Sequence, residues 1–525
     1  MRFGFWRRPL PTFVRAVHYF GSAHPSNFWD TAPMAEVPGL LAQIREDGFN
    51  TVILAVPWRG FQRRLFPPTY DALNLARLGD LLAAIDAAGL ASIVRVCFPW
   101  HNDPDSELSF DERALGLFTR DDVRAAWLDY LRVIRDITAR ARNFRFAFFS
   151  WEDLPSIREL MIHRTQAERH RLAGPTGYRD FLCARHALPE VSELFGENFN
   201  DASEIYIPLP DCAAYVSYSE FVNRRLNDLL AFGRTVWPGL SMQIRADHDR
   251  VVIDGEVGWI ENDIRADDPS MRVSYYFPYM YAQNCGETLS ADQALANMRM
   301  VMDRLSANGA NPNHVLDQLV YWDESPQFQH WAKIEESQIP RFLLGAVDIL
   351  KALSRGYGLW NYLDYRVNHL YNANFLRGLH GWAAHGEVWT RFDGESVACA
   401  VLAPGARISQ RMVPYLRGYG AGLYPSVSFR ALCASTAPGR LRLSTNGVAE
   451  AEIALSSGRH QASAQLPPDP HRSRGEIEFT IENTGECALE LAGLCLWGAV
   501  YRSRIYDEDG RPGRFLAHVR AMNRR

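Results

Sequence analysis

Lysine is nearly missing from this sequence. Of its 56 basic residues only Lys333 and Lys351 are lysine, and the rest are arginine. Schiff-base chemistry, P-loop nucleotide hydrolysis and protein-kinase phosphoryl transfer each need a lysine at a defined place. Lys351 falls inside an apolar helical repeat and no GxxxxGK[ST] occurs, so those classes are excluded. CxxC is missing too. The eight cysteines, Cys97, Cys183, Cys212, Cys285, Cys399, Cys433, Cys487 and Cys495, are scattered. That pattern predicts buried free thiols in a reducing compartment, with a pair in the tail region as the alternative. Without a GxSxG motif, nucleophile-elbow hydrolysis is set aside. No run of about 20 apolar residues is present, and the opening "MRFGFWRRPLPTFVRAVHYF" has no continuous apolar core of a signal peptide. The expectation is a cytoplasmic protein with no membrane partner. Excess charge is also lacking: a net charge of −5 gives no support to a nucleic-acid partner. "DHD" (247–249) has a spacing too common to specify a metal, and His163 and His170 have no metal-ligand spacing. No metal and no cofactor are expected.

What is abundant is aromatic side chain, 12% of the chain with 14 Trp and 21 Tyr. Flat rings fill a large core, or stack on the apolar faces of sugars. Up to about residue 365, short apolar runs alternate with helical periodicity. Strand-like runs are "FVRAVHYFG" (13–21), "FNTVILAVPW" (49–58), "LASIVRVCFPW" (90–100), "FRFAFFSWED" (144–153), "GLSMQIRADHD" (239–249), "RVSYYFPYMY" (272–281), "LDQLVYWDES" (316–325) and "GYGLWNYLDY" (356–365). Helices between them are signalled by repeats such as Val37, Leu40, Leu41 and Ile44, closed by Gly48. Eight such runs predict a (β/α)8 TIM barrel, because parallel strands buried on both faces read as continuous apolar runs. A doubly wound sheet is the alternative, but the first strand-to-helix turn carries no glycine fingerprint. Beyond about residue 372 the pattern changes to short alternating segments separated by turn residues, which predicts an all-β jelly-roll or sandwich. The expected division is a barrel domain at 1–372, with an insertion at about 155–212, and a β domain at 373–525. The terminal "HVRAMNRR" reads as a loose basic end.

A (β/α)8 barrel carries its active site at the C-terminal ends of its strands. Two of those ends, "SWED" and "YWDES", present carboxylates after an aromatic run. Glycoside hydrolysis needs two carboxyl groups across the scissile bond, one protonated and one ionised. Strands four and seven lie across the barrel from each other, which pairs Glu152 with Glu324. Asp323 competes with Glu324, since neighbouring strand residues point opposite ways. Around them, Trp360 and Trp100 are candidate sugar platforms. Tyr276 or Tyr279 is placed to hydrogen-bond the nucleophile, and Arg95 to pair with a site carboxylate. Trp58, His101, Trp151, Arg245, Trp322 and Asn361 complete the candidate substrate contacts. Each has a bland reading as core or solvated surface.

Strands two and three, "GFNTVILAVPW" and "GLASIVRVCFPW", resemble the early barrel strands of clan-A glycoside hydrolases. The resemblance implies a retaining enzyme with its acid/base glutamate ending strand four and its nucleophile ending strand seven, here Glu152 and Glu324. The segment "YRDFLCARHALPEVSELFGENFNDASEIYIP" (178–208) is similar to the one following the acid/base in family 42 β-galactosidase-like enzymes, which are often oligomers. "NANFLRGLHGWAAHG" resembles the opening of carbohydrate-binding-module jelly rolls. Two positions depart from the clan: Trp151 stands where an asparagine usually binds the sugar 2-hydroxyl, and Leu54 stands where strand two often carries an arginine, with Arg95 on strand three as the candidate stand-in. Three readings follow: a retaining hydrolase of β-linked oligo- or polysaccharide, a non-catalytic glycan-binding barrel, and a transglycosylase of bacterial polysaccharide metabolism.

Overall fold

Runs such as Thr51–Pro57, in which every residue is buried, can only be satisfied between two apolar layers. In the computed structural model they form a parallel barrel. The structure describes residues 13–31, 34–98, 103, 107–150, 161, 164–253, 256–265, 272–276, 286–307, 313–324, 332–392, 398–412, 426–466 and 477–525. The barrel strands are β1 (Val14–His18), β2 (Thr51–Pro57), β3 (Ala91–Phe98), β4 (Phe144–Phe149), β5 (Leu240–Met242), β6 (Arg272–Tyr276), β7 (His314–Leu319) and β8 (Gly356–Leu359). Their order in the sheet is β6-β7-β8-β1-β2-β3-β4-β5. A parallel bridge between Gln243 and Val273 closes β5 onto β6, and the Ile244 N–H donates to the Val273 carbonyl at 2.9 Å. All eight expected strands are present. The fold is a (β/α)8 barrel followed by antiparallel sheets.

Helices Val37–Glu46, Ala72–Ala87, Asp121–Thr138, Tyr215–Arg234, Ala291–Leu305 and Ile339–Leu353 lie between the strands. Ser290 caps its helix reciprocally with Gln293, a capping box that fixes where the chain turns helical. Strand five is shorter than the sequence implied. "RADHDRVVI" is the first arm of a hairpin, Arg245–Ile253 paired antiparallel with Glu256–Ile264. Its run of four polar residues, Asp247 to Arg250, sets it apart from the mainly apolar barrel strands, which are buried on both faces. The hairpin contacts both helix Tyr215–Arg234 and helix Ala291–Leu305, the neighbours of the fifth helix position. Three short helices, Gln166–Ala173, Tyr178–Cys183 and Leu188–Phe195, occupy the insertion after strand four.

The β domain is a sandwich. One sheet has Val388–Phe392, Ala398–Leu402, Leu489–Tyr501, Ser426–Cys433 and Gly458–Gln465 in that order. The other has Ala383–His385, Arg407–Met412, Ile477–Asn483, Gly439–Thr445 and Val448–Leu455. Burial alternates along these strands, as in Ile477–Asn483, because one face of each sheet meets the other sheet. The long strand Leu489–Tyr501 also pairs with Tyr365–Asn368, just beyond the barrel.

The loose basic end is overturned. Residues Leu516–Arg524 form a helix. It starts near the strand ends, where Phe515 packs on Tyr321 and Trp322. It finishes at the opposite face, where the Asn523 amide donates to the Asp47 carbonyl and its oxygen accepts from Tyr357 Oη at 2.6 Å. It lies beside helix Ile339–Leu353 and runs antiparallel to the strands, in the place of the barrel's eighth helix. The sequence ran the β domain to residue 525. Instead the sandwich is inserted between strand eight and helix eight. Ile505, Tyr506, Phe515, Leu516, Val519 and Met522 return to the barrel's apolar cluster. Arginine and asparagine masked the Leu516, Val519, Met522 stripe, which has helical spacing.

Candidate active site

Strand side chains alternate, so every second residue points into the barrel. The lower interior is apolar, built from Val14, Ala16, Ile53, Ile93, Phe148, Val273 and Val315. Above it the layer turns polar. His18, Arg95, Ser150, Gln243 and Asp317 are all buried there. His18 Nε2 donates to the Asp317 carbonyl at 2.8 Å, and Ser150 Oγ donates to Gln243 Oε1. The floor is narrow at strand eight: a Cβ on Gly358 would meet the Asp317 carbonyl at 2.6 Å and Ile53 at 2.7 Å. Burial first, then the positive charge of Arg95, pulls His18 down to about 3, against the hydrogen bond to Asp317. His18 is therefore a neutral group at neutral pH.

The half-buried Trp360 sits over this layer. Its ring lies 4.7 Å from the His18 ring and 5.2 Å from Phe20. Its indole N–H donates to Tyr365 Oη at 3.3 Å. The peptide bond to Asn361 is cis. Asn361 is buried, its amide donating to the Leu363 carbonyl and its own carbonyl accepting from Ser503 Oγ.

Glu324 lies five residues beyond the end of β7. It is half-buried, as are Trp322 and Asp323. Arg504 Nε donates to Glu324 Oε2 at 2.8 Å with Nη2 alongside, and Arg514 Nη2 reaches Oε1. Arg514 also stacks its guanidinium 5.0 Å from the Trp322 ring centre and pairs with Glu336. Burial alone would push the Glu324 carboxyl up. The hydrogen bond and charge of Arg504 and the charge of Arg514 outweigh it, holding the carboxyl below its ordinary value. Glu324 is ionised at neutral pH.

The remaining candidates divide. Arg95 and Arg245 are buried. Trp58 is buried as well, its indole N–H spent on Gln62 at 2.7 Å and its face covered by Arg113. It braces the hairpin that follows strand two and offers a sugar no open face. Trp151, Glu152, Trp100, His101 and Tyr279 lie outside the described residues, and of Tyr276 only the backbone is described. Sequence reasoning did not single out Asp317, whose signal is a carboxylate inside an otherwise apolar strand. It also passed over Arg504 and Arg514, which follow the sandwich and carry no local signal for a barrel site. A groove of about 890 Å³ lined by Arg63, Arg64, Tyr70, Glu107, Arg377 and His380 lies between the post-strand-two hairpin and the start of the sandwich, and it includes none of the candidates. Among the described residues no cluster of three or more His, Cys, Asp or Glu could hold a metal ion.

No family model and no curated protein matches the chain. Among solved structures it is similar to the exo-β-1,4-mannosidase Op5Man5 from Opitutaceae bacterium strain TAV5, at 16% identity and a TM-score of 0.40, over 67% of this chain and 52% of that one. The chain thus spans about half the length of that mannosidase. It is also similar to a GH5_18 protein from Bifidobacterium longum subsp. longum ATCC 55813, at 14% identity and a TM-score of 0.42, over 68% of this chain and 71% of that one. A third is the β-glycosidase BGL167, at 14% identity and a TM-score of 0.39, over 68% of this chain and 88% of that one.

Proposed function

We propose that this protein is a retaining glycoside hydrolase acting on a β-linked oligo- or polysaccharide. The observation that carries the reading is an ionised Glu324 just past the C-terminal end of β7, on the face where (β/α)8 barrels do chemistry, with Trp322 and Trp360 on the same rim. A retaining mechanism needs one carboxylate ionised before substrate arrives, and the two arginines keep Glu324 in that state. Glu152 takes the complementary role. It protonates the glycosidic oxygen as the Glu324 carboxylate attacks the anomeric carbon, and the leaving sugar departs. Glu152, now ionised, then takes a proton from water, which attacks the glycosyl–Glu324 ester and releases the sugar with its starting anomeric configuration. The expected separation of the two carboxyl groups is about 5–5.5 Å. Trp360 serves as the sugar platform, and the neutral His18 beneath it adds no charge to the pocket floor.

The test is a panel of aryl β-glycosides assayed with Glu324→Gln and Glu152→Gln. Glu324→Gln is expected to lose activity on every member. Glu152→Gln is expected to lose most on poor leaving groups, with a loss of about a hundredfold or more, and least on dinitrophenyl glycosides, which need no proton. Full activity of Glu324→Gln on the best substrate overturns the nucleophile assignment.

One observation favours a second reading, a glycan-binding barrel without turnover. Both oxygens of Glu324 are engaged by arginines of the segment leading into the last helix, as in a structural tie. Calorimetric binding of an oligosaccharide that the protein leaves intact over days establishes that reading and removes the first.

A further inference from the structure

Away from the barrel rim, the sandwich brings two cysteine sulfurs into contact. Cys433 ends the strand Ser426–Cys433. Cys487 lies in the bend between Ile477–Asn483 and Leu489–Tyr501, where the chain crosses from one sheet to the other. Their Sγ atoms are 3.4 Å apart across 54 residues of chain. A disulfide bond is about 2.05 Å long, so closure needs the sulfurs to approach by about 1.4 Å. Both side chains are buried. Both also point at one acceptor: the Ala437 carbonyl receives the Cys433 thiol at 3.5 Å and the Cys487 thiol at 3.6 Å. The shared acceptor aims the two sulfurs at each other. The ladder agrees, because Cys433 pairs with Leu489, two residues beyond Cys487, which is a diagonal cross-strand placement. Cys487 sits in a bend, where a shift of this size breaks no strand hydrogen bond.

We propose that Cys433 and Cys487 form a reversible disulfide, a covalent cross-link site at the corner of the sandwich, with a low-molecular-weight disulfide as the oxidant. Cys487, the less buried of the two, gives up its proton and attacks one sulfur of the small disulfide. One small thiolate leaves and takes up a proton. Cys433 then gives up its proton and attacks the Cys487 sulfur of the mixed disulfide, and the second small thiolate leaves and is protonated. Two cysteine thiols are oxidised and one small disulfide is reduced to two thiols. Burial, and then the neighbouring Cys433, push the Cys487 thiol above its ordinary value, which makes the first step slow at neutral pH. The loop that the bond closes contains Gly439–Thr445, Val448–Leu455, Gly458–Gln465 and Ile477–Asn483, so the cross-link constrains most of the second sheet in the unfolded chain.

The experiment equilibrates the reduced full-length chain with glutathione disulfide, denatures it in an alkylating agent and maps the peptides. Expected are a peptide linking Cys433 to Cys487, resistance to alkylation of two of the eight thiols, and a rise in melting midpoint that dithiothreitol reverses. Cys487→Ser and Cys433→Ala each lose both the linked peptide and the shift. Having the two variants keeps the test decisive if one fails to fold. Full alkylation of Cys433 and Cys487 after oxidation overturns the proposal. So does a bond from either to a different cysteine, or a reaction that stops at glutathione mixed disulfides.

Discussion

Glu324 owes its charge to two side chains that are far away in sequence. Arg504 and Arg514 oppose the rise that burial alone would cause, so the carboxyl ionises below its ordinary value. A carboxyl depressed in the folded state contributes stability that is present above its ordinary value and is lost as pH falls through the depressed one. Arg504→Gln removes the hydrogen bond to Oε2 and part of the positive field. The Glu324 carboxyl is then expected to titrate at higher pH, read by carbon NMR of labelled glutamate or by the acid limb of a pH–rate profile. An unchanged titration would mean that Arg514 alone sets the charge. The place of Glu324 just past strand seven was legible in the sequence, because strand position and the aromatic run before it are local signals. Its arginine partners were not, since their role depends on where the chain returns after the sandwich.

The elements that close the barrel come from distant parts of the chain. Helix Leu516–Arg524 has nine residues, too few to be stable alone in water, so its order comes from packing. Val519 is fully buried in that contact. Val519→Asp is expected to cost about 3 kcal/mol or more, by burying a charge with no partner, measured as the fall in urea midpoint. A change under about 0.5 kcal/mol, typical of an exposed site, would contradict the docked helix. Asp47 is the polar counterpart. Its carboxylate accepts from Tyr362 at 2.7 Å, Tyr506 at 3.0 Å and Arg520 at 2.7 Å. Asp47→Ala leaves those donors unmatched and is expected to destabilise by about 2–3 kcal/mol. Next to it, Gly48 holds φ at +91°, and a Cβ there would lie 2.9 Å from Asn523 Cβ, so the same glycine ends one helix and admits the last one. Its capping role could be read from the helical repeat before it. Its contact with Asn523 is a tertiary fact that no local pattern encodes. The strands were legible for the opposite reason: burial on both faces writes runs such as "TVILAVP" as mainly apolar stretches.

Across the whole molecule, acid is expected to act through buried histidines. Burial is the main cause in each case: it lowers His18 to about 3 with help from Arg95, His24 to about 3 with help from His369, and His369 to about 4. The ordinary value is 6.5, so the unfolded chain takes up these protons first. Stability is complete above about 6.5 and declines as pH falls toward the folded values, by at most about 1.4 kcal/mol per pH unit for each group. Urea midpoints are expected to fall between pH 7 and pH 4.5, and a flat profile over that range would contradict the buried neutral histidines. His18 belongs to the barrel floor, while His24 and His369 lie where the barrel meets the sandwich, the His24 ring packed at a tilt against Tyr365 and Tyr501. Acid is therefore expected to loosen both units together. Catalysis at the rim is tested most directly by intact and peptide mass spectrometry after incubation with 2-deoxy-2-fluoro-β-glycosyl fluorides of gluco, manno and galacto configuration. These reagents trap a glycosyl–enzyme ester. One adduct on Glu324, absent from Glu324→Gln, is the expected result. An adduct on Asp317, Asp323 or another carboxylate, or turnover of β-glycosides by Glu324→Gln, would contradict it.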